Sequence, residues 1–372
     1  MYESTVRHRR IGLDLLRSLA IGGVLLSHGM QFLYAHVSWG GWLGHLGSFG
    51  VDLFFVLSGF LIGGILIRLG PALTEGRVVL GFWIRRWLRT LPNYWLFLVL
   101  NVPFMLFVWR LDVRIRSFFW EFPFFLQNFA SREPPFFPEA WTLSVEEWFY
   151  LILPAMLWLG LKFTRRFDRV FLVSAFTLLF VPLGLRFAMA PPAIWAVDMR
   201  QVVIYRLDAL MYGVLAAWMQ ARWPGALHRI RYPLLAAGFA LVAWTYHGFY
   251  TLDLEHSRFA RTWLSSLITL GMAGLLPWAH ELRSLGSRLA EGAVRRVALW
   301  SYSMYLCNVP FNVALDKYLG ASARASAGVG WAVFILYFVL TTGAAACVYN
   351  LYERRFLRLR DRIALCKEVE PA

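Results

Sequence analysis

The chain has 372 residues, of which 59% are hydrophobic and 16% are charged. Soluble globular proteins carry about 25% charged residues, so this composition indicates an integral membrane protein. The formal net charge is +15. In a soluble protein that charge would suggest binding to nucleic acid. Here the basic residues lie mainly in connectors between apolar stretches, and we expect no nucleic-acid partner.

About ten apolar stretches recur along the chain, each close to the ~20 residues that cross ~30 Å of hydrocarbon. They cover residues 11–30, 50–67, 91–109, 141–161, 170–188, 203–220, 232–250, 263–279, 297–315 and 328–350. Their connectors are too short for a second domain of about 50 residues or more. We predict an all-α, polytopic membrane helix bundle of about ten transmembrane helices. It forms a single domain over residues 1–372, with no fused soluble domain.

The basic residues are unevenly divided between the two sets of connectors. If the N-terminus is inside, most lysines and arginines lie on that side of the membrane. The positive-inside rule then predicts that both termini are cytoplasmic, which agrees with an even number of spans. Attraction to anionic membrane lipid or to a phosphorylated cytoplasmic ligand is a second interpretation of the same charge.

The first apolar stretch carries Asp14, Arg17 and His28. Ionisable residues cost roughly 2.5 to 3.5 kcal/mol each at the centre of a spanning helix, so they are usually retained for a function. Arg17 and His28 are eleven residues apart and share one helix face, about 16 Å apart along the axis. Asp14 can pair with Arg17 but is too distant to orient His28, so we expect Glu146 or Glu147 to do so. The alternative is an interfacial ion pair, with His28 hydrogen-bonded to a neighbouring helix.

The second stretch, GVDLFFVLSGFLIGG, has Asp52 at its outer end and Ser58 within it. Small residues at Ser58, Gly59, Gly63 and Gly64 permit close helix approach. Because no base is adjacent to Ser58 in the sequence, packing is favoured over a nucleophilic role for this serine.

The segment FWIRRWLRTLP, residues 82–92, contains three arginines at helical spacing. Arg85, Arg86 and Arg89 gather on one side of a helix that enters the membrane from the cytoplasm. Guanidinium forks suit phosphate oxygens, which indicates an anionic ligand. The alternative is charge that serves only to orient the span.

The fourth stretch contains PEAWTLSVEEWFYLILP, residues 138–154. Glu146 and Glu147 lie in dense apolar sequence, and Glu146 and Tyr150 share a face at i, i+4. A carboxylate here can fix the tautomer of a histidine from another helix, or bind a substrate hydroxyl. A buried ion pair with one of the arginines is the structural alternative.

Cysteine spacing indicates neither a metal site nor a disulfide framework. Cys307, Cys347 and Cys366 have no metal-like or redox spacing, and the first two fall inside predicted spans. We therefore predict no metal.

Taken together, these segments resemble the acyltransferase family three integral membrane proteins. That family acylates hydroxyl groups of extracytoplasmic polysaccharides and other acceptors with acyl groups from cytoplasmic acyl-CoA. The resemblance covers nearly the whole chain and its motifs come in the family's order. They are Arg17 and His28 with ten residues between them, GVDLFFVLSGFLI, Arg86-x-x-Arg89 followed by Pro92, WTLSVEEWFYLILP, RLDALMYG and SYSMYL.

The resemblance implies a role for each matching residue. His28 would be the catalytic histidine, with Arg17 needed on the same helix and Glu146 or Glu147 completing the acidic part of the site. The remaining candidates for substrate binding are Arg85, Arg86, Arg89, Asp14, Asp52, Ser58, Tyr150 and Trp141. The donor would be acyl-CoA, most commonly acetyl-CoA, with no tightly bound cofactor. The acceptor would be an extracytoplasmic carbohydrate, and the location a bacterial inner membrane in contact with membrane lipid.

Two positions depart from the family pattern. Asn308 stands where a histidine commonly follows Tyr-Leu in the ninth span, and Arg354 stands where a proline commonly follows the last-span glutamate. Asparagine cannot accept a proton, so a base role at position 308 is excluded.

Two other classes of function remain open at this point. In a transporter or flippase of a glycan or lipid-linked intermediate, Asp14, Arg17, His28 and Glu146 would form a proton or substrate path. The ordered motifs and the lack of a visible internal repeat argue against it. In a catalytically silent assembly factor, the same residues would serve only packing.

Overall fold

Helices form over the apolar stretches because hydrocarbon offers no hydrogen-bond partners to an open backbone. The computed structural model describes residues 10–109, 119–134, 136–189 and 194–363, and none of these residues lies in a strand. The all-α fold class is therefore confirmed. The principal helices are α1 (Ile11–Gly29), α2 (Leu46–Leu69), α3 (Gly76–Phe104), α4 (Ala140–Phe163), α5 (Phe167–Ala188), α6 (Leu207–Arg222), α7 (Pro224–Thr251), α8 (Ser265–Glu281), α9 (Arg288–Ala325), α10 (Ala327–Val348) and α11 (Arg354–Arg362).

Within the described residues, six helical segments are long and apolar enough to cross a membrane. The polytopic architecture follows, while the number ten stays a prediction. Helices α4, α6, α7 and α9 lie over further predicted stretches and are not among these six. The six are Ile11–Phe32, Gly40–Thr74, Gly76–Val108, Phe167–Ala188, Ala260–Glu281 and Ala327–Arg362.

Helix α3 begins well before the apolar stretch that predicted it. The stretch starts at residue 91, whereas the helix starts at Gly76 and includes the basic segment. It also continues through Pro92. The Tyr302 hydroxyl donates to the carbonyl of Thr90 at 2.8 Å, and the Tyr352 hydroxyl donates to the carbonyl of Pro92 at 3.3 Å. These two hydroxyls tie the turns on either side of the proline to α9 and to the segment after α10.

Helix α2 packs between α1 and α6, and its contact with α6 depends on glycine. A Cβ placed on Gly59 would lie 1.9 Å from the carbonyl oxygen of Leu210, and one placed on Gly213 would lie 2.0 Å from that of Val56. Such distances leave no room for any side chain, so the close helix approach predicted at Gly59 is confirmed. The neighbouring Ser58 turns instead toward the interior of the bundle.

Two buried groups of charges join α2, α5, α6 and the segment before α6. Arg186 Nη2 lies 2.8 Å from Asp208 Oδ2, and both side chains are 1% exposed. Asp52 pairs with Arg200 at 3.2 Å and also with Arg206. Because an unpaired charge is costly in the interior, each group requires its helices to keep their relative positions.

Candidate active site

A cavity of about 90 Å³ lies inside the bundle between α1, α2, α3, α4 and α9. We call it the interior cavity. Its wall combines aromatic and aliphatic side chains with hydroxyls, a carboxylate and guanidiniums. The polar lining residues are Arg17, Ser58, Arg86, Arg89, Thr90, Thr142, Glu146, Tyr150, Ser301, Tyr302 and Tyr305. This combination of a mainly apolar pocket with a few convergent polar groups is typical of a substrate site.

Glu146 is the carboxylate of the interior cavity. Its Oε1 accepts a hydrogen bond from the Ser58 hydroxyl at 2.8 Å, and its Oε2 accepts one from the Tyr150 hydroxyl at 2.9 Å. Tyr150 comes one turn after Glu146 on α4, which fulfils the shared face that the i, i+4 spacing predicts. The two hydroxyls fix the orientation of the carboxylate in the cavity.

Glu147 points elsewhere, although it is the next residue. The hydroxyl of Thr90 donates to its Oε1 at 2.6 Å, and among the residues that the structure describes its Oε2 has no hydrogen-bond partner. The side chain reaches a separate groove lined by Trp87, Trp95 and Trp148. Successive helix residues point about 100° apart, which lets these two adjacent glutamates face different cavities.

The predicted cluster of three arginines divides between two environments. Arg86 and Arg89 line the interior cavity, and the Arg86 guanidinium carbon lies 5.8 Å from the centre of the Tyr150 ring. Arg85 turns away and donates from Nη1 to the carbonyls of Arg360, at 3.1 Å, and Ile363. Arg85 therefore holds the C-terminal end of α11 and does not face the interior cavity.

Arg17 reaches the interior cavity from α1. Its Nη1 lies 3.5 Å from Asp14 Oδ1, so the predicted pair one turn apart is present. Arg17 and Asp14 also line a larger cleft at the end of the bundle where α1 begins. The structure thus places Arg17 where the two cavities meet.

His28 lies near the end of α1, and its partner comes from α9. Nδ1 is 2.5 Å from Oδ1 of Asn308, and the Asn308 amide nitrogen donates to the carbonyl of Tyr305 at 2.5 Å. The glutamates that the sequence suggested as partners bind other groups. The position that departs from the family pattern is the one that contacts His28.

Amide side chains hold the backbone around His28 as well. The Asn312 amide nitrogen donates to the carbonyl of His28 at 2.8 Å, and the Gln31 amide nitrogen donates to Asn312 Oδ1 at 2.7 Å. His28 is half-buried and does not itself line the interior cavity, whose wall includes Tyr305. Tyr305 and Asn308 are one turn apart on α9, so the cavity ends one helical turn from the partner of His28.

Two further predicted residues lie outside the interior cavity. Asp52 is completely buried in its pairs with Arg200 and Arg206. Trp141 packs at 5.8 Å from the Phe55 ring and under the Arg200 guanidinium at 5.1 Å. In the structure both residues therefore contact the segment before α6 and do not line the cavity.

The sequence did not single out one buried polar cluster beside the site. Glu353 Oε2 accepts hydrogen bonds from Asn93 and Ser303, both at 2.8 Å. Ser303 belongs to the SYSMYL motif, and the two tyrosines of that motif, Tyr302 and Tyr305, line the interior cavity. The available signal was Glu353 itself, because an ionisable residue at the end of a span is usually paired or functional.

Residues 10–350 match the model of acyltransferase family 3, which is described as an acyltransferase domain. The chain belongs to this family. The family match and the helices that are long and apolar enough to cross a membrane indicate an integral membrane protein. No solved structure matches the chain.

Two similar proteins place this family 3 chain among bacterial relatives. OatA of Listeria monocytogenes serovar 1/2a, a peptidoglycan O-acetyltransferase, is 34% identical over 167 residues, which are 41% of this chain and 25% of OatA. YrhL of Bacillus subtilis strain 168 is 35% identical over 178 residues, which are 43% of this chain and 26% of YrhL. The chain thus matches about a quarter of the length of each of these relatives.

Proposed function

We propose that the chain is a membrane O-acetyltransferase that moves an acetyl group from cytoplasmic acetyl-CoA to a hydroxyl of an extracytoplasmic carbohydrate. One observation carries the proposal. The interior cavity, with its convergent polar groups, runs from Arg17 to Tyr305, one helical turn from the asparagine that binds His28. The name of OatA, a peptidoglycan O-acetyltransferase, supports a glycan as the acceptor.

In this proposal the donor and the acceptor approach from opposite sides of a bacterial inner membrane. The distribution of lysine and arginine supports a cytoplasmic start of α1, and α1 then carries Arg17 nearer the cytoplasm than His28. The acetyl thioester enters the interior cavity from the Arg17 end. The acceptor hydroxyl arrives from outside at His28.

Hydrogen bonding at His28 supports a role as general base. Since the Asn308 amide nitrogen donates to Tyr305, the Asn308 oxygen faces Nδ1 of His28 and must accept the Nδ1 proton. The lone pair is then on Nε2. Nε2 takes the proton of the acceptor hydroxyl as its oxygen attacks the thioester carbonyl carbon. The new C–O bond forms, the C–S bond breaks, and the leaving thiolate takes the proton from His28.

The charged lining of the interior cavity supports the passage of a polar donor arm. Glu146 offers hydrogen-bond acceptors and Arg86 offers donors, both held in place by contacts with Tyr150. An amide-containing arm has both kinds of group and matches such a wall. A purely apolar cavity would leave those amides without partners.

The direct test is acetyl transfer by the purified chain in nanodiscs, with acetyl-CoA and glycan fragments as substrates. Product is measured by mass spectrometry as a gain of one acetyl group. His28→Ala should lower turnover by about 10²- to 10⁴-fold, the usual contribution of a general base. His256→Ala is the matched control, because His256 is exposed and pairs with Asp253 in the segment after α7. Equal turnover in the wild type and His28→Ala would exclude the proposed mechanism.

A further inference from the structure

A second cavity, here called the basic cleft, has a volume of about 760 Å³. It lies between the start of α1, the ends of α2, α6 and α8, and the start of α7. All of these helix ends are on the side that the distribution of lysine and arginine predicts to be cytoplasmic. A soluble ligand of the cytoplasm can therefore enter it.

The basic cleft collects positive charge from four separate parts of the chain. Five arginines line it, against the two carboxylates Asp14 and Glu281. Simple topogenic charge would be spread over the connectors and not gathered around one cavity. The arginines are Arg10, Arg17, Arg68, Arg89 and Arg283.

The basic cleft and the interior cavity share one boundary. Arg17, Leu61 and Arg89 line both of them, and we call these three residues the throat. A ligand seated in the basic cleft can thus extend through the throat into the interior cavity. The three arginines outside the throat, Arg10, Arg68 and Arg283, are exposed to the cleft side.

Helix geometry gives the length of the donor segment that must pass through the throat. Arg17 and His28 are eleven residues apart on α1, which is about 16 Å along the axis. A donor that reacts beside His28 while its charged part stays in the basic cleft, on the cytoplasmic side of Arg17, needs a narrow arm of about that length. An extended pantetheine arm has this form.

We propose that the basic cleft is a phosphate subsite, in which Arg10, Arg68 and Arg283 bind the phosphates of a nucleotide-linked thioester donor. The inference rests on the proposed function. Guanidinium forks bind phosphate oxygens in pairs, and three of them from different helices surround a polyphosphate. The Arg10 side chain is already fixed, since its Nη1 donates to the carbonyl of His280 at 2.7 Å. Arg85, which the sequence suggested for this role, binds α11.

The test compares two donors that share the thioester arm and differ in the nucleotide. Acetyl-CoA carries the phosphates, and acetyl-pantetheine does not. In nanodiscs, Arg68→Ala and Arg283→Ala should each raise the KM for acetyl-CoA by about tenfold, the usual effect of losing a hydrogen bond to a charged group. Both variants should keep the wild-type KM for acetyl-pantetheine and the wild-type kcat with either donor.

Arg77→Ala is the matched control, because Arg77 is on the same side, is 85% exposed and pairs with Glu75 away from the cleft. It should leave both KM values unchanged. If Arg68→Ala and Arg283→Ala raised the KM for both donors equally, the subsite would be overturned. A rise of the same size in the KM for acetyl-CoA in Arg77→Ala would also overturn it. Wild-type protein with one KM for both donors would overturn the subsite and leave the proposed function standing. Wild-type protein that uses neither donor would overturn both.

Discussion

His28 and Asn308 are 280 residues apart in the sequence, and in the structure Nδ1 of the histidine lies 2.5 Å from Oδ1 of the asparagine. The other end of the Asn308 amide donates to the carbonyl of Tyr305. A carbonyl can only accept, so the asparagine cannot rotate its NH₂ toward His28 without losing that bond. The arrangement selects one tautomer of the imidazole, with the proton on Nδ1.

Asn308→Leu removes this selection while keeping a side chain of similar volume. Partners that fix the tautomer and ring orientation of a metal-bound histidine contribute about 10- to 100-fold, and the same orienting role applies to a histidine that acts as a base. We expect kcat for acetyl transfer to fall by about that factor, with the KM for the donor unchanged. Steady-state kinetics in nanodiscs measures both quantities.

Asn101→Leu supplies the control for Asn308→Leu. Asn101 is also a buried asparagine in a long helix, and its amide donates to the carbonyl of Phe97 at 2.9 Å, one turn before it. Its replacement should leave kcat unchanged. Wild-type kcat in Asn308→Leu would show that the amide does not position His28.

The two adjacent glutamates allow a matched comparison within the site. Glu146→Gln replaces the carboxylate that lines the interior cavity, whereas Glu147→Gln replaces one that faces a separate groove. We expect kcat/KM for acetyl-CoA to fall at least tenfold in Glu146→Gln and to stay within about twofold in Glu147→Gln. An amide oxygen at position 147 still accepts the hydroxyl of Thr90, so the second variant keeps its hydrogen bond. The reverse order of effects would contradict the assignment of Glu146 to the cavity.

Ser58→Ala distinguishes direct transfer from a route through an acyl-enzyme. The Ser58 hydroxyl donates to Glu146 at 2.8 Å, which is the geometry of an activated nucleophile as well as of a simple structural hydrogen bond. For direct transfer we expect Ser58→Ala to retain most of the wild-type kcat. Radiolabelled acetyl-CoA without acceptor should then leave no label on the wild-type protein. Label that is present in the wild type and lost in Ser58→Ala would establish a covalent intermediate.

Much of the fold follows from the sequence, because each apolar stretch has one stable conformation in hydrocarbon. The helix ends follow less well. Arginine has good helix propensity, so α3 extends from its apolar part back to Gly76 although hydropathy falls there. For the same reason, the single 38-residue helix α9 runs beyond both ends of the predicted stretch 297–315.

The site could be predicted only in part, for a geometric reason. Spacing along one helix correctly paired Asp14 with Arg17 and Glu146 with Tyr150. Contacts between helices depend on how each helix is rotated, and that rotation is set by packing at sites such as Gly59. The contact between His28 and Asn308 therefore could not be predicted, since nothing near either residue in the sequence links α1 to α9.

Asp208→Asn tests the buried pair that joins α5 and α6. Arg186 makes two hydrogen bonds to Asp208, at 3.1 and 2.8 Å, and a third to the Ser266 hydroxyl at 2.6 Å. Removing one partner of a buried pair leaves an uncompensated charge and costs about 3–5 kcal/mol. We expect a clear fall in the thermal unfolding midpoint in detergent.

Asp168→Asn is the control for the buried pair. Asp168 pairs with Arg222, and these side chains are 46% and 55% exposed. An exposed pair contributes about 0–1 kcal/mol, so the midpoint should scarcely move. Equal shifts in the two variants would mean that burial does not determine the importance of the pair.

Glu139, the residue before α4, should make stability depend on pH. Its side chain is 3% exposed. Burial raises the pKa of Glu139 to about 8. The folded protein therefore holds the carboxyl proton more tightly than the unfolded chain does, and this contribution to stability is full below about pH 4.5 and is lost as the pH rises to about 8.

Glu139→Gln removes the titrating group while keeping its shape and its acceptor oxygen. We expect the unfolding midpoint of the wild type, measured in detergent at intervals from pH 5 to pH 8.5, to fall relative to that of Glu139→Gln as the pH rises. Glu255→Gln, at an exposed position after α7, should follow the wild type throughout. A constant difference between wild type and Glu139→Gln across this range would mean that Glu139 has the same proton affinity in the folded and unfolded chain. Because each pKa unit corresponds to about 1.4 kcal/mol, the expected divergence amounts to several kcal/mol by pH 8.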